Sequence, residues 1–312
     1  MFKKIKEKYN YDQNKIEYLK NVHSNIMKFK EIGYLLKDSD IEEIGFTEKN
    51  VFIKLNSLFN NLKMSVDDYD FEEVPMSLIS FGKYEVEETN MVKTILSKLN
   101  KNNFVFLDIG ANLGWYSLNV LKNFSNAIIY AFEPSPETYK RLQNNFKLNC
   151  FDTNSIFNIG LFNEEGQMDF FYDIAGSGAS SLKDIRGRDT VKKIQVNVEK
   201  LDDWCQKNKI QDIDFIKCDV EGAEYFVFQG GKNYIEKCQP IVFSEMLRKW
   251  SAKFNYHPNN IINFFNDLNY NCYIIKDKRL KKIKEITEET LETNYFFLNK
   301  EKHNFLIKEL ER

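Results

Sequence analysis

"FLDIGANLGWYS", residues 106–117, ends a hydrophobic run on an aspartate and frames an asparagine between two glycines before apolar residues resume. Glycines directly after a predicted strand let a ligand approach the backbone. In an open α/β sheet that ligand lies beyond the carboxyl ends of the strands, near the switch point beside the first strand. A dinucleotide fingerprint requires glycine at the first, third and sixth positions of G-x-G-x-x-G. Counted from Gly110, this chain has Gly110, Asn112 and Trp115 there, and the Asn112 side chain obstructs a pyrophosphate. No Gly-Lys-Ser/Thr follows, so the loop is not a Walker phosphate cradle either. Asp108 places a carboxylate at the strand tip, which repels phosphate and suits an ammonium or sulfonium group.

Working outward, short apolar runs alternate with helical segments from about residue 100. "FVFLDIG" (104–110), "AIIYAFE" (127–133), "SIFNIGL" (155–161), "DFIKCDV" (214–220) and "PIVFSEM" (240–246) read as strands buried on both faces. Helices are expected at about 113–124, 136–149, 221–237 and 258–268, with Pro136 and Pro258 near first turns. "GQMDFFYD" and "IQVNVEKL" read as extra strands around a Gly/Ser-rich loop, and "YNCYIIKD" and "NYFFLNK" as two closing strands. Strand–helix alternation of this kind predicts a doubly wound, Rossmann-like α/β sheet. Residues 1–75 carry no proline before Pro75 and read as a helical extension of two to four helices, with 76–312 as the main domain. Packing or oligomerisation is the expected role of that extension, with a substrate-side lid as the alternative.

The bulk composition excludes several classes. The 312 residues contain 44 basic and 46 acidic side chains, so no global field points to nucleic acid or to an anionic membrane. Cys150, Cys205, Cys218, Cys238 and Cys272 are scattered and odd in number, which suits reduced thiols in a cytoplasmic protein rather than a disulfide framework or zinc site. "MFKKIKEKYN" leads into no apolar h-region, and no apolar run of about 18 residues is present, so neither a signal peptide nor a membrane span is expected.

Glu133 sharpens the ligand's identity. It ends the second strand, 23 residues after Gly110, where a carboxylate can accept both hydroxyls of a ribose. A ribose joined to a cationic group without a pyrophosphate describes S-adenosylmethionine. Asp219 ends the fourth strand, beside the first, and borders the same cleft. It can stabilise a sulfonium, accept a hydroxyl proton, or join Glu221 and Glu245 around a metal, although no metal site is assigned. Glu221 and Glu224 also suit a helix start electrostatically. For the acceptor's proton the candidates are Asp219, Glu245 at the fifth strand tip, and His257 in a loop on the carboxyl side. The loop "AGSGASSL" (175–182) is suited to closing over an acceptor.

The blocks "FLDIGANLGWYS", "AFEPSPETYKRLQNNFKLN", "GSGASSL", "VEKLDDWC", "IKCDVEGAE" and "PIVFSEM" follow one another as in the FkbM-type methyltransferases, which residues 76–300 resemble. The resemblance implies the class I methyltransferase sheet, mostly parallel with an antiparallel C-terminal strand, and S-adenosylmethionine as cofactor. It implies that Asp108, Gly110, Asn112 and Gly114 form the methionine-side loop, that Glu133 with Pro134 holds the ribose, and that Asp219 stands near the sulfonium. Glu85, in "FGKYEVEETN", would face the cofactor, and Gly160 would line the adenine pocket at 159–161. Phe162-Asn163 stands where the family usually has Ser-Asp. The implied activity is methyl transfer to a hydroxyl of a sugar, nucleotide-linked sugar or glycan intermediate. A polyketide hydroxyl or phosphate-type oxygen is the alternative acceptor. A nicotinamide-dependent oxidoreductase and an inactive assembly domain are the rival classes, disfavoured by Asn112 and Trp115 and by the Asp108, Glu133 and Asp219 set.

Overall fold

The computed structural model describes residues 15–34, 36–47, 50–99 and 101–311. The runs read as core strands form β4 (Phe104–Ile109), β5 (Ala127–Phe132), β6 (Ile156–Phe157), β10 (Phe215–Cys218) and β11 (Ile241–Glu245). β12 (Tyr270–Lys276), β13 (Arg279–Ile283) and β14 (Asn294–Asn299) complete one eight-stranded sheet in the order β13-β12-β14-β11-β10-β4-β5-β6. β6, β5, β4, β10 and β11 run parallel, while β14 enters antiparallel between β11 and β12. The sheet therefore has the mostly parallel class I arrangement, with its order reversing at β4 and β10, and the expected fold class holds.

Helices cover both faces. α4 (Trp115–Asn123) and α5 (Pro136–Leu148) follow β4 and β5, and Ser135 caps α5 by accepting from the Thr138 N–H, with Pro136 in its first turn. α6 (Leu201–Lys207) precedes β10, and α10 (Asn259–Asp267) precedes β12. The segment read as one helix over 221–237 is two, α7 (Glu224–Gly230) and α8 (Lys232–Cys238), because the Gly230-Gly231 junction interrupts it. α7 also starts later than expected: Glu221, at φ 55°, and Gly222, at φ 101°, lie in a turn before it. The run at 155–161 divides as well. Asn158 donates to the Glu133 and Pro134 carbonyls, ending the main ladder at β6. β7 (Gly160–Phe162) then joins β8 (Gly166–Asp173) and β9 (Val191–Lys200) in a separate three-stranded sheet.

The N-terminal region departs most from the sequence expectation. α1 (Lys15–Ile32) is helical, but β1 (Ile41–Phe46), β2 (Val51–Leu55) and β3 (Lys63–Val66) form an antiparallel three-stranded sheet where further helices were expected. The reason is a period of two hidden among lysines and asparagines: Ile53, Leu55 and Met64 are buried on one face. Helices expected within residues 1–14 lie outside the described residues. This sheet shares its core with α3 (Val86–Ser97), α4 and α5. Its β3 edge is closed by α5, where Asn145 accepts from the Ser65 N–H at 2.8 Å and Asn149 from the Lys63 N–H at 2.9 Å. The remaining helices are α2 (Val74–Phe81), α9 (Arg248–Ser251) and α11 (Asn304–Leu310). No helix among the described residues is long and apolar enough to cross a membrane.

Candidate functional site

Two confluent hollows open beyond the carboxyl ends of β4, β5, β10 and β11. One is lined on its apolar side by Phe132, Ile159, Leu161, Phe170 and Val198. The other is lined by Tyr84, Glu85, Tyr116, Lys217 and Glu245 among others. Gly110, Asn112, Gly178, Asp219 and Glu221 border both.

The glycine loop is the hinge between them. Gly110 has φ 73°, and a Cβ there would lie 1.8 Å from the Asp219 carbonyl oxygen, so only glycine lets β4 and β10 close at their tips. Asn112, at φ 48°, turns its N–H to Glu133 Oε2 at 3.1 Å. Glu133 Oε1 accepts from the Ser135 N–H at 2.9 Å. The glutamate is buried, and burial pushes its carboxyl up to about 7 despite those two donors. Pro134 and Gly160 line the same apolar hollow.

Asp108 and Gly114 stand elsewhere than expected. Asp108 is buried behind the loop, where Oδ2 accepts from the Ser117 N–H at 3.0 Å and the Ser117 hydroxyl at 2.6 Å. It thus ties down the first turn of α4, and its neighbouring cation is Lys217, 3.6 Å from Oδ1. Gly114 packs on α5, because a Cβ there would lie 2.7 Å from Leu142 Cδ1. Neither residue lines either hollow. His257 is a further correction. It is exposed, its Nδ1 accepts from the Asn259 N–H at 3.2 Å at the start of α10, and it lines neither hollow. Its ring instead meets the first turn of α10.

The second hollow is strongly acidic. Glu85, at φ 40° before α3, accepts from the Tyr116 hydroxyl at 2.6 Å, and burial pushes it up to about 7. Asp219 Oδ2 lies 3.6 Å from Lys217 Nζ. Glu221 and Glu245 are pushed well above the usual carboxylate range, first by burial and then by Asp219, with Glu224 adding to the push on Glu221 and Glu221 to that on Glu245. Lys217 counters these charges. Burial alone would lower its ammonium, but Asp219, Asp108 and Glu85 together raise it, and Nζ donates to the Gly110 carbonyl at 2.8 Å. Glu224 faces away: its Oε1 accepts from the Val220 and Gly222 N–H groups, which holds the turn before α7.

Residues 175–182 roof both hollows. Asp70 Oδ2 accepts from the Ser177 N–H at 3.1 Å and from Arg141 at 3.0 Å, while the Ser181 hydroxyl donates to the Glu221 carbonyl at 2.8 Å. Sequence reasoning missed the contribution of the segment ahead of α2, because Asp70 and Glu72 meet Ser177 and Arg186 only across more than a hundred residues. Lys217 was not among the candidates either. Its signal was available: a lysine inside the apolar run "FIKC" is buried, so it requires a charged partner.

The arrangement brings Glu85, Gly110, Asn112, Glu133, Pro134, Gly160, Asp219 and Glu245 to one cleft. Residues 108–272, just over half of the chain, match the methyltransferase FkbM domain. Similar proteins include the 2-O-methyltransferase NoeI of Sinorhizobium fredii, 30% identical over 162 residues, covering 48% of this chain and 66% of that protein. The hexuronic acid methyltransferase AglP of Haloferax volcanii is 23% identical over 155 residues, covering 50% of this chain and 61% of that protein. The chain thus spans under two thirds of the length of either relative. The crystal structure of a methyltransferase FkbM from Methylobacillus flagellatus is 16% identical at a TM-score of 0.41, covering 77% of this chain and 57% of that one.

Proposed function

Because the chain belongs to the FkbM methyltransferase family, we propose that it transfers a methyl group from S-adenosylmethionine to a hydroxyl oxygen of a sugar or sugar-containing acceptor. The observation that carries this reading is the continuity of the two hollows through Gly110, Asn112 and Asp219, with a buried glutamate on one side and carboxylates on the other. The residues present suit that cofactor. The apolar walls of the first hollow fit an adenine, and each Glu133 oxygen keeps a further lone pair for a ribose hydroxyl. Asp219 lines both hollows beside the glycine loop, where a carboxylate suits a positive group.

When bound, the cofactor supplies an electrophilic methyl carbon on a sulfonium, open to in-line attack by a hydroxyl oxygen. Glu133 and the Asn112 backbone fix the nucleoside, Gly110 lets it approach the strand tips, and residues 175–182 exclude water from above. Holding both reactants in line is worth roughly 7–11 kcal/mol. Glu245 and Asp219, which line the acidic hollow, are the carboxylates we assign to receive the hydroxyl proton as the new C–O bond forms. The choice of a sugar acceptor draws on the 2-O- and hexuronic acid specificities in the names of the two relatives. A polar hollow rich in carboxylates also suits hydroxyl-bearing molecules.

Calorimetric titration of the chain with S-adenosylmethionine, S-adenosylhomocysteine and NAD tests the cofactor. Both sulfur compounds are expected to bind and NAD is not; absence of sulfur-compound binding would refute the reading. A mass-spectrometric screen of sugars and activated sugars, with a gain of one methyl group as readout, then identifies the acceptor.

A further inference from the structure

Within the acidic hollow, Asp219, Glu221 and Glu245 each offer a carboxylate oxygen, and the three oxygens lie within 4.8 Å of one another. That separation is what a single small cation requires, since oxygen ligands about 2.1–2.4 Å from an ion stand no more than about twice that far apart. When ionised, three carboxylates at this spacing repel each other, so they stay ionised together only with something positive between them.

A second observation points the same way. Glu221 Oε2 and Asp219 Oδ1 are closed off from solvent and have no hydrogen-bond partner. Buried carboxylate oxygens are normally satisfied. The contrast with Glu224, three residues on, is direct: its buried carboxyl takes two backbone N–H groups and the Tyr256 hydroxyl. Glu221 is instead presented from a left-handed backbone position, φ 55°, ahead of the helix. The cations nearby do not fill this need. Lys217 approaches the other oxygen of Asp219, Oδ2, at 3.6 Å, and Arg186 is already paired with Glu72.

Resting on the methyl-transfer reading for its catalytic meaning, we infer that Asp219, Glu221 and Glu245 form a binding site for one hard divalent cation of the magnesium or manganese class. All three donors are oxygens, which suits such ions and disfavours copper or zinc in a thiolate or imidazole set. Three protein ligands leave open positions in an octahedral shell, and the site faces the hollow in which the acceptor lies. One or two acceptor oxygens complete the shell. The cation lowers the pKa of the attacking hydroxyl and fixes which oxygen points at the methyl carbon. In the balanced step the O–C bond forms and the S–C bond breaks, with its electron pair left on sulfur. The hydroxyl proton passes to the Glu245 oxygen not bound to the ion, or to solvent.

The test uses the full chain stripped with EDTA and titrated with manganese chloride. Binding is followed by calorimetry and by loss of the free Mn²⁺ paramagnetic resonance signal. One Mn²⁺ per chain is expected, and Glu221→Gln and Glu245→Gln should each weaken it about tenfold or more. Both substitutions are isosteric and relieve repulsion, so the melting temperature of the stripped chain should hold or rise, which separates loss of a ligand from loss of the fold. No Mn²⁺ binding at millimolar concentration, or equal affinity in wild type and both variants, overturns the inference. S-adenosylhomocysteine titrated into the same preparations reports on the methyl-transfer reading independently: its binding without Mn²⁺ binding removes the cation site alone, and the reverse removes the cofactor.

Discussion

The two hollows handle buried carboxylates in opposite ways. At the apolar end, Glu133 meets one backbone N–H on each oxygen, so the group is in place before any ligand arrives. At the acidic end, Asp219, Glu221 and Glu245 crowd together, leave two oxygens without partners, and depend on one buried lysine for compensation. The first arrangement is preorganised, whereas the second holds charge that a ligand would relieve. A buried polar group costs about 1–3 kcal/mol when unsatisfied, so the acidic end is the less stable of the two as it stands.

The comparison is most directly broken at Lys217. Replacing Lys217 by Met leaves Asp108, which is 1% exposed, without its cation. Removing one partner of a buried ion pair costs about 3–5 kcal/mol. A correspondingly lower denaturation midpoint is expected, and a stability within about 1 kcal/mol of wild type would show that the acidic end does not rely on this lysine. At the other end, Glu133→Ala should weaken S-adenosylhomocysteine about a hundredfold, since two hydrogen bonds to a charged group are lost at about 1.5 kcal/mol or more each. Calorimetry measures this directly, and an unchanged dissociation constant would remove Glu133 from the ribose role.

A smaller effect sharpens the contrast through pH. Burial pushes Glu85, Glu133 and Glu224 up to about 7 from an ordinary value of 4.5. Between those values the folded chain holds more protons than the unfolded one, so stability falls as pH rises from about 4.5 to about 7. This is the opposite of the trend for ion-paired carboxylates, and denaturant melts at pH 5 and 7 read it out. Glu133→Gln should flatten the slope in part, and a stability that rises over that interval would contradict the burial-driven shifts.

Much of the architecture was legible in the chain because it is encoded locally. The apolar runs that became β4, β5, β10 and β11 are continuous and bounded by turn residues, so the parallel core and its switch point follow from pattern. β1 to β3 were not legible: their buried residues, such as Ile53, Leu55 and Met64, are interleaved with lysines and asparagines that equally suit helices. Within the site, Glu133 was found because a strand-end carboxylate at a set distance from a glycine turn has a geometric meaning. Asp108 was found for the wrong reason, because a strand-tip aspartate can face a ligand or hold the next helix, and Ser117 decides between them. His257 failed in the same way, since membership of a carboxyl-side loop does not specify where the ring points.

By itself, then, the sequence determined the sheet, the glycine turn at the tip of β4, and the acidic character of its surroundings. These depend on residue order and on backbone requirements within a few positions. Only the tertiary structure decided which carboxylates share space. Asp219, Glu221 and Glu245 come from two strand ends, Glu85 from before α3, and Asp70 from ahead of α2. Burial and like-charge repulsion act over a few ångströms, and only the closing of β4, β10 and β11 side by side brings these groups within that range.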